Sequence, residues 1–274
     1  MLRYHFIQSL FGCLLLCACI GCTVREDRLP CPCYLDIDYR ELLAAEPSVG
    51  TSARVDLHLQ DADSRWMTQH PLEQCPELEE ISVEKSQLQV ISLVHDKPWR
   101  DFLAEGTRVT YEPGNEMDAL YAGTQWVDCS DEEACCVLQP HKQFSTLQFT
   151  DEADGALCRR YNMVIRGSTC GFDAADLSAV EGEYLYTIQE DDGQGRICVR
   201  IPRQLRNDLL LEFWEKDRHT LLFSCPVGLY LFAAGYDPAA ADLPDFSLRI
   251  DFRAALLYLR IADWKDEYIY SLYD

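Results

Sequence analysis

The stretch "RVDLHLQ", residues 54–60, puts Val55, Leu57 and Leu59 at every second position, with Asp56, His58 and Gln60 between them. A helix of 3.6-residue period would scatter these apolar groups around its surface, whereas a strand gathers them on one face. The same period recurs at Leu35 and Ile37 against Asp36 and Asp38, and at Leu248, Ile250 and Phe252 against Arg249, Asp251 and Arg253. Alternation of this kind predicts one face on a core and one face in water. Between Tyr184–Gln189 and Arg196–Ile201 lies "EDDGQG" (190–195), whose Asp-Gly and second glycine predict a hairpin turn.

Helical signals are few. Residues 41–46 have room for one turn. "HDKPWRDFLAEG" (95–106) predicts a short helix after Pro98 that ends at Gly106, and Asp173–Val180 predicts another. There are no heptads, fixed-period repeats or low-complexity tracts. Many short strands in a 274-residue chain predict two β-sandwich modules, with their boundary in the polar stretch from Gln125 to Pro140.

The hydrophobic content of 48% is ample for packed cores. The net charge of −22 repels phosphate backbones and excludes nucleic acid as a partner. At the N-terminus, Arg3 and His5 precede an apolar stretch, Ile7–Gly21, that is too short to span a bilayer and fits a signal peptide. Ile20-Gly21-Cys22 then has the form of a bacterial lipoprotein box, with Cys22 acylated. Leu16-Cys17-Ala18-Cys19 is a competing box, so Cys19 stays open as the acylated residue. Thr23-Val24-Arg25-Glu26-Asp27 resembles a lipoprotein surface-export signal, and it serves equally as a polar tether. Cleavage before Cys22 discards Cys13, Cys17 and Cys19, and acylation uses Cys22. Ten cysteines then remain: Cys31, Cys33, Cys75, Cys129, Cys135, Cys136, Cys158, Cys170, Cys198 and Cys225. An even number in an exported chain permits disulfides, but sequence does not fix their connectivity.

Catalytic and metal signatures are lacking. The five histidines beyond the signal segment (His58, His70, His95, His141 and His219) have no metal-ligand spacing. There is no G-x-S-x-G elbow or phosphate-binding glycine loop. "GSTCG" (167–171) sets Cys170 between glycines, but only Arg166 nearby would activate a thiol, so a strand end with a packed or disulfide-bonded cysteine is expected. Asp36 and Asp38 read as a solvated strand face rather than a glycosidase pair. "DADS" (61–64) and "EDDGQG" lack the twelve-residue calcium-loop spacing and read as turns. The expectation is a non-enzyme without cofactor or metal.

Several segments together resemble the FimB-like fimbrial anchor family of Bacteroidetes lipoproteins. They are Cys22, Glu26-Asp27 and Cys31-Pro32; "HKQFSTLQF" (141–149); "YNMVIRGSTCGFDAADLSAVEGEY" (161–184); "IPRQLRNDLLLEF" (201–213); and "GYDPAAADLPDFSLRIDFRAALLYLRIADW" (235–264). The chain departs from the family at Pro238, which follows Gly-Tyr-Asp where tryptophan is common.

The resemblance implies an all-β chain with two tandem transthyretin-like β-sandwich domains after a lipoprotein signal peptide. Signal peptide 1–21, lipidated tether 22–33, N-terminal domain 34–139 and C-terminal domain 140–274 are the expected divisions. It also implies an anchor or accessory subunit of a cell-surface fimbria, held in the outer membrane by its N-terminal lipid and joined to fimbrillin-type pilus subunits by strand addition. The C-terminal "DEYIYSLYD" (266–274) is the candidate strand, with Tyr268, Tyr270 and Leu272 on one face and Ile269 and Tyr273 on the other. It reads equally as a last strand packed on its own domain. The alternative function is a surface adhesin or glycan-binding lipoprotein on the same scaffold, using Trp66, Trp99 or Trp126.

Overall fold

The structure, a computed structural model, describes residues 31–47, 49–50, 52–97, 100–151, 161–188, 196–217, 219–251, 256–261 and 267–271. The signal segment, Cys22 and Cys19 lie outside the described residues. The described chain is an all-β fold of four sheets. A three-stranded sheet runs β4 (Leu78–Val83), β1 (Cys33–Asp38), β8 (Glu133–Val137). A five-stranded sheet runs β3 (Arg65–Pro71), β2 (Arg54–Gln60), β5 (Gln87–His95), β7 (Tyr121–Asp128), β9 (His141–Lys142). The next runs β13 (Arg196–Pro202), β10 (Phe144–Asp151), β16 (Phe246–Asp251), β17 (Leu256–Ile261), β18 (Glu267–Ser271). The last runs β12 (Ala179–Ile188), β11 (Tyr161–Asp173), β14 (Leu210–Glu215), β15 (Leu221–Cys225), and the short β6 (Arg108–Thr110) also pairs with β11. Two α-helices, α1 (Arg40–Ala44) and α2 (Val227–Ala233), and one 3₁₀ turn (Leu72–Gln74) complete the described chain.

Period-two patterning builds two sandwich cores. Leu35 and Ile37 of β1 meet Val55, Leu57 and Leu59 of β2 in one apolar cluster. Leu147 and Phe149 of β10, with Leu248 and Ile250 of β16, meet Met163, Ile165, Leu211 and Phe213 from the facing sheet in another. A third cluster joins Ile91, Leu93, Phe102, Leu103 and Met117 to Phe144 and Phe172. This third cluster corrects the expectation for residues 54–60. Asp56 and His58 face away from the first core and are nevertheless buried, because the segment after residue 100 covers that face. Burial and the Arg65 guanidinium push the His58 imidazole below its ordinary pKa.

Gly171 shows how tightly β6 is fitted. A Cβ there would lie 1.9 Å from the Val109 carbonyl oxygen, so only glycine permits this pairing.

Three local expectations are corrected. Residues 102–105 form turns rather than a helix. The Asp101 carboxylate accepts the Leu103 N–H at 2.9 Å, a side-chain bond that competes with helix formation, and Phe102 and Leu103 are both buried. Residues 174–176 are also a turn. Asp173 and Asp176 carboxylates accept the N–H groups of Ala175 and Ser178, which closes the β11–β12 hairpin. The hairpin expected around "EDDGQG" does not form, because β12 and β13 belong to different sheets. Residues 190–195 themselves lie outside the described residues.

Asp38 is not on a solvated face. Arg40 Nε and Nη2 donate to its carboxylate at 2.9 and 2.5 Å, and the Arg40 N–H adds a third bond at 3.0 Å as α1 begins. These bonds hold the Asp38 carboxyl down at about 2, against an ordinary 3.8. A depressed folded-state value stabilises the fold above the unfolded pKa, and that contribution disappears as pH falls through the folded one. Acid unfolding between pH 3.8 and about 2 is therefore expected to flatten in Asp38→Asn, measured by tryptophan fluorescence against pH.

Candidate partner-binding edges

Three of the segments behind the family resemblance, 141–149, 201–213 and 235–264, meet in space. Buried Arg203, from "IPRQLRNDLLLEF", donates through Nη1 to the carbonyls of Pro238 at 2.6 Å and Ala240 at 2.7 Å. The Tyr236 hydroxyl accepts the Gln204 N–H at 2.9 Å. Asp242 accepts the Lys142 N–H at 2.7 Å, and Asp245 accepts both Lys142 Nζ and the Thr146 N–H at 2.6 Å. These residues tie a long connection, 234–245, across the mouth of the second sandwich. Arg203 and His141 line a shallow cavity beside this connection, and Lys142 and Asp245 line another, but each is engaged in the bonds that fix the connection.

Nor do the histidines form a reactive centre. His70 meets Glu79 at 3.0 Å, His141 meets Asp242 at 3.2 Å, and His95 meets Asp56 at 2.8 Å, while His219 is exposed in a turn. Cys170 sits inside β11 rather than at a strand end, and burial pushes its thiol pKa up. The structure draws no disulfide between the nine described cysteines, and Cys158 lies outside the described residues. Among the described residues no group of three metal-capable side chains comes together. Asp61 accepts the N–H groups of Asp63 and Ser64 at 2.8 and 2.7 Å, so "DADS" closes the β2–β3 hairpin.

Among the described residues, the terminal strands of the sheets are the candidate surfaces for a partner. The outermost strand of one C-terminal sheet is β18, paired antiparallel with β17 from Glu267↔Arg260 to Ser271↔Leu256. Tyr268 packs against the second core, and Ile269 is 58% exposed. The side chain of Tyr270, together with Leu272 and Tyr273, lies outside the described residues. The candidate segment is thus a paired edge strand that turns an isoleucine outward.

A second edge lies at the first sandwich, where β3 and β4 are the terminal strands of facing sheets. Between them runs a groove of about 300 Å³ lined by Leu59, Trp66, Ile81, Val83 and Leu88, with Glu84 at the rim. Trp66 stands opposite Leu59 in the register and so shares its core-facing side, yet it is 45% exposed, on the terminal strand of its sheet among the described residues. Along β4, residues alternate between exposed and half-buried and none is buried, which leaves the sandwich open there. Sequence singled out Trp66 but not the groove, since nothing local says which strand ends a sheet. Trp126 is exposed on β7, and Trp99 lies outside the described residues. The segment read as tether reaches the fold earlier than expected: β1 begins at Cys33, which is buried.

No family model and no curated protein matches the chain. Solved structures do. It is similar to the fimbrial anchor protein Mfa2 from Porphyromonas gingivalis, with a TM-score of 0.57 at 11% identity, covering 85% of this chain and 98% of that one. A proposed polysaccharide-binding protein from Bacteroides thetaiotaomicron gives 0.59 at 12% identity, covering 88% and 99%. A proposed adhesin from Bacteroides ovatus gives 0.59 at 12%, covering 92% and 99%. At these identities the likeness is one of fold, spread over nearly the whole of each chain.

Proposed function

We propose that this chain is a non-enzymatic, lipid-anchored outer-membrane protein that serves as anchor or accessory subunit of a surface fimbria and joins fimbrillin-type subunits by strand addition. The observation that carries this reading is the pair of terminal-strand surfaces among the described residues, β18 and the β3/β4 groove, on a fold that matches a fimbrial anchor over 85% of this chain. Edge strands offer main-chain N–H and C=O groups for an added strand, and apolar grooves fix its register. Acylation at Cys22, or at Cys19, would hold the base of the filament, since several acyl chains bind a membrane far more firmly than one.

The test is mass spectrometry of what co-purifies from native outer membranes in mild detergent. A fimbrillin-like β-sandwich protein in stoichiometric excess is expected, and Cys22→Ala is expected to move most of it into the medium. Loss of 266–274 should leave fimbriae detached; if they stay attached, that segment is not the joining strand. Exposed Trp66 and Trp126 favour a second reading, an adhesin or glycan-binding lipoprotein on the same scaffold. Recovery of the protein alone, or with glycan and no polymer subunit, would establish it instead.

A further inference from the structure

Two thiols of the first sandwich lie side by side with no exposure to solvent. Cys33 opens β1, in the three-stranded sheet, and Cys129 directly follows β7, in the facing five-stranded sheet. Both are 0% exposed and belong to the same apolar cluster. Cys33 stands opposite Val83 in the β1–β4 register, three residues from the Ser86 that binds Cys129, and the Cys33 side chain is an interacting neighbour of the Cys129 thiol. Each is held in place by backbone bonds next to it: the Tyr34 N–H donates to Glu132 O at 2.8 Å and the Cys129 N–H to Ser86 O at 2.9 Å. The third buried cysteine of this cluster, Cys136, is engaged by the Gln125 side-chain amide, while its neighbour Cys135 is exposed.

We infer that Cys33 and Cys129 form a disulfide that staples the two sheets of the N-terminal sandwich together. This inference does not depend on the fimbrial reading; it needs only exposure of the folding chain to a disulfide oxidant. One cysteine thiolate attacks the oxidant's disulfide and releases one oxidant thiolate. The second cysteine attacks the resulting mixed disulfide and releases the other, so two protein thiols are oxidised as one disulfide is reduced. The structure also fixes when this happens. Burial, with Cys33 adjacent, pushes the Cys129 thiol up to about 12, so almost none of it is thiolate near neutral pH once folded. The bond therefore forms while the sandwich is closing, and afterwards both sulfurs are shielded from reductants. It closes a loop of about 100 residues, the size for which a cross-link constrains the unfolded chain strongly.

The experiment uses the full-length chain in detergent, reduced, unfolded in guanidinium and refolded in a buffer of reduced and oxidised glutathione. After alkylation and non-reducing digestion, the peptides carrying Cys33 and Cys129 are expected as one linked species, about 2 Da lighter than their sum. The same buffer added to the folded, reduced protein is expected to leave both cysteines alkylatable after later unfolding, because neither thiol is accessible. Recovery of both peptides alkylated after oxidative refolding would overturn the assignment. So would a link from Cys33 to Cys31 or from Cys129 to Cys136. The wild-type chain supplies the answer, so no variant that fails to fold obscures it.

Discussion

His95→Leu is expected to destabilise the folded chain by about 3–5 kcal/mol, one of the two largest effects of any single substitution considered. His95 and Asp56 are each 0% exposed, and His95 Nε2 lies 2.8 Å from Asp56 Oδ2. The other ring nitrogen, Nδ1, accepts the Lys97 N–H at 3.1 Å. An N–H group can only donate, so the imidazole proton sits on Nε2 and is given to Asp56. The second Asp56 oxygen has no hydrogen-bond partner among the described residues. Leucine at 95 keeps the volume, and with it most of the contact with Phe102, whose ring centroid is 4.8 Å away. It strips the buried carboxylate of the one hydrogen bond it has, which is the costly case. Urea unfolding of His95→Leu and of Asp56→Leu/His95→Leu separates the causes. The double variant should recover most of the loss, because no unpaired carboxylate is left. A double variant as unstable as the single one would place the cost in packing instead.

Phe149→Ala is expected to cost about 3–5 kcal/mol, chiefly in the second sandwich. Phe149 is 0% exposed on β10, opposite Ile197 of β13 and Leu248 of β16. Its ring fills the space between the two C-terminal sheets beside Leu147 and Met163, in a strand that neighbours on both sides prevent from moving inward. Truncation therefore leaves a cavity that cannot collapse. Because β16, β17 and β18 are carried in series from β10, β18 should loosen as well, and its amide hydrogens should exchange faster in Phe149→Ala. Unchanged exchange in β18 would mean that the edge strand is held by its own hairpin rather than by the core behind it.

The legible parts of this fold were those set by period two. Leu35 and Ile37, Val55, Leu57 and Leu59, and Leu248 with Ile250 all face cores, as alternation demands. The illegible parts have identifiable causes. The helix α2 comes from "VGLYLFA", apolar at nearly every position, so its sequence has no helical stripe to separate it from a buried strand. The turn at 102–105 was missed because one aspartate side chain decides it. For the candidate edges, Ile269 and Tyr268 could be named from the C-terminal segment, but the β3/β4 groove could not.

By itself the sequence determined that the chain is rich in strands and acidic, and which side chains alternate into a core. These follow from local period and from charge, which no folding is needed to count. Only the tertiary structure decided which strands lie at sheet edges, that Asp56 and His58 are buried rather than solvated, and that Cys33 meets Cys129. Each of these depends on partners far away along the chain: the segment after residue 100 that covers β2, the missing neighbour beside β4, and a pairing across two sheets. A period records which face a residue points to, while the structure supplies what that face meets.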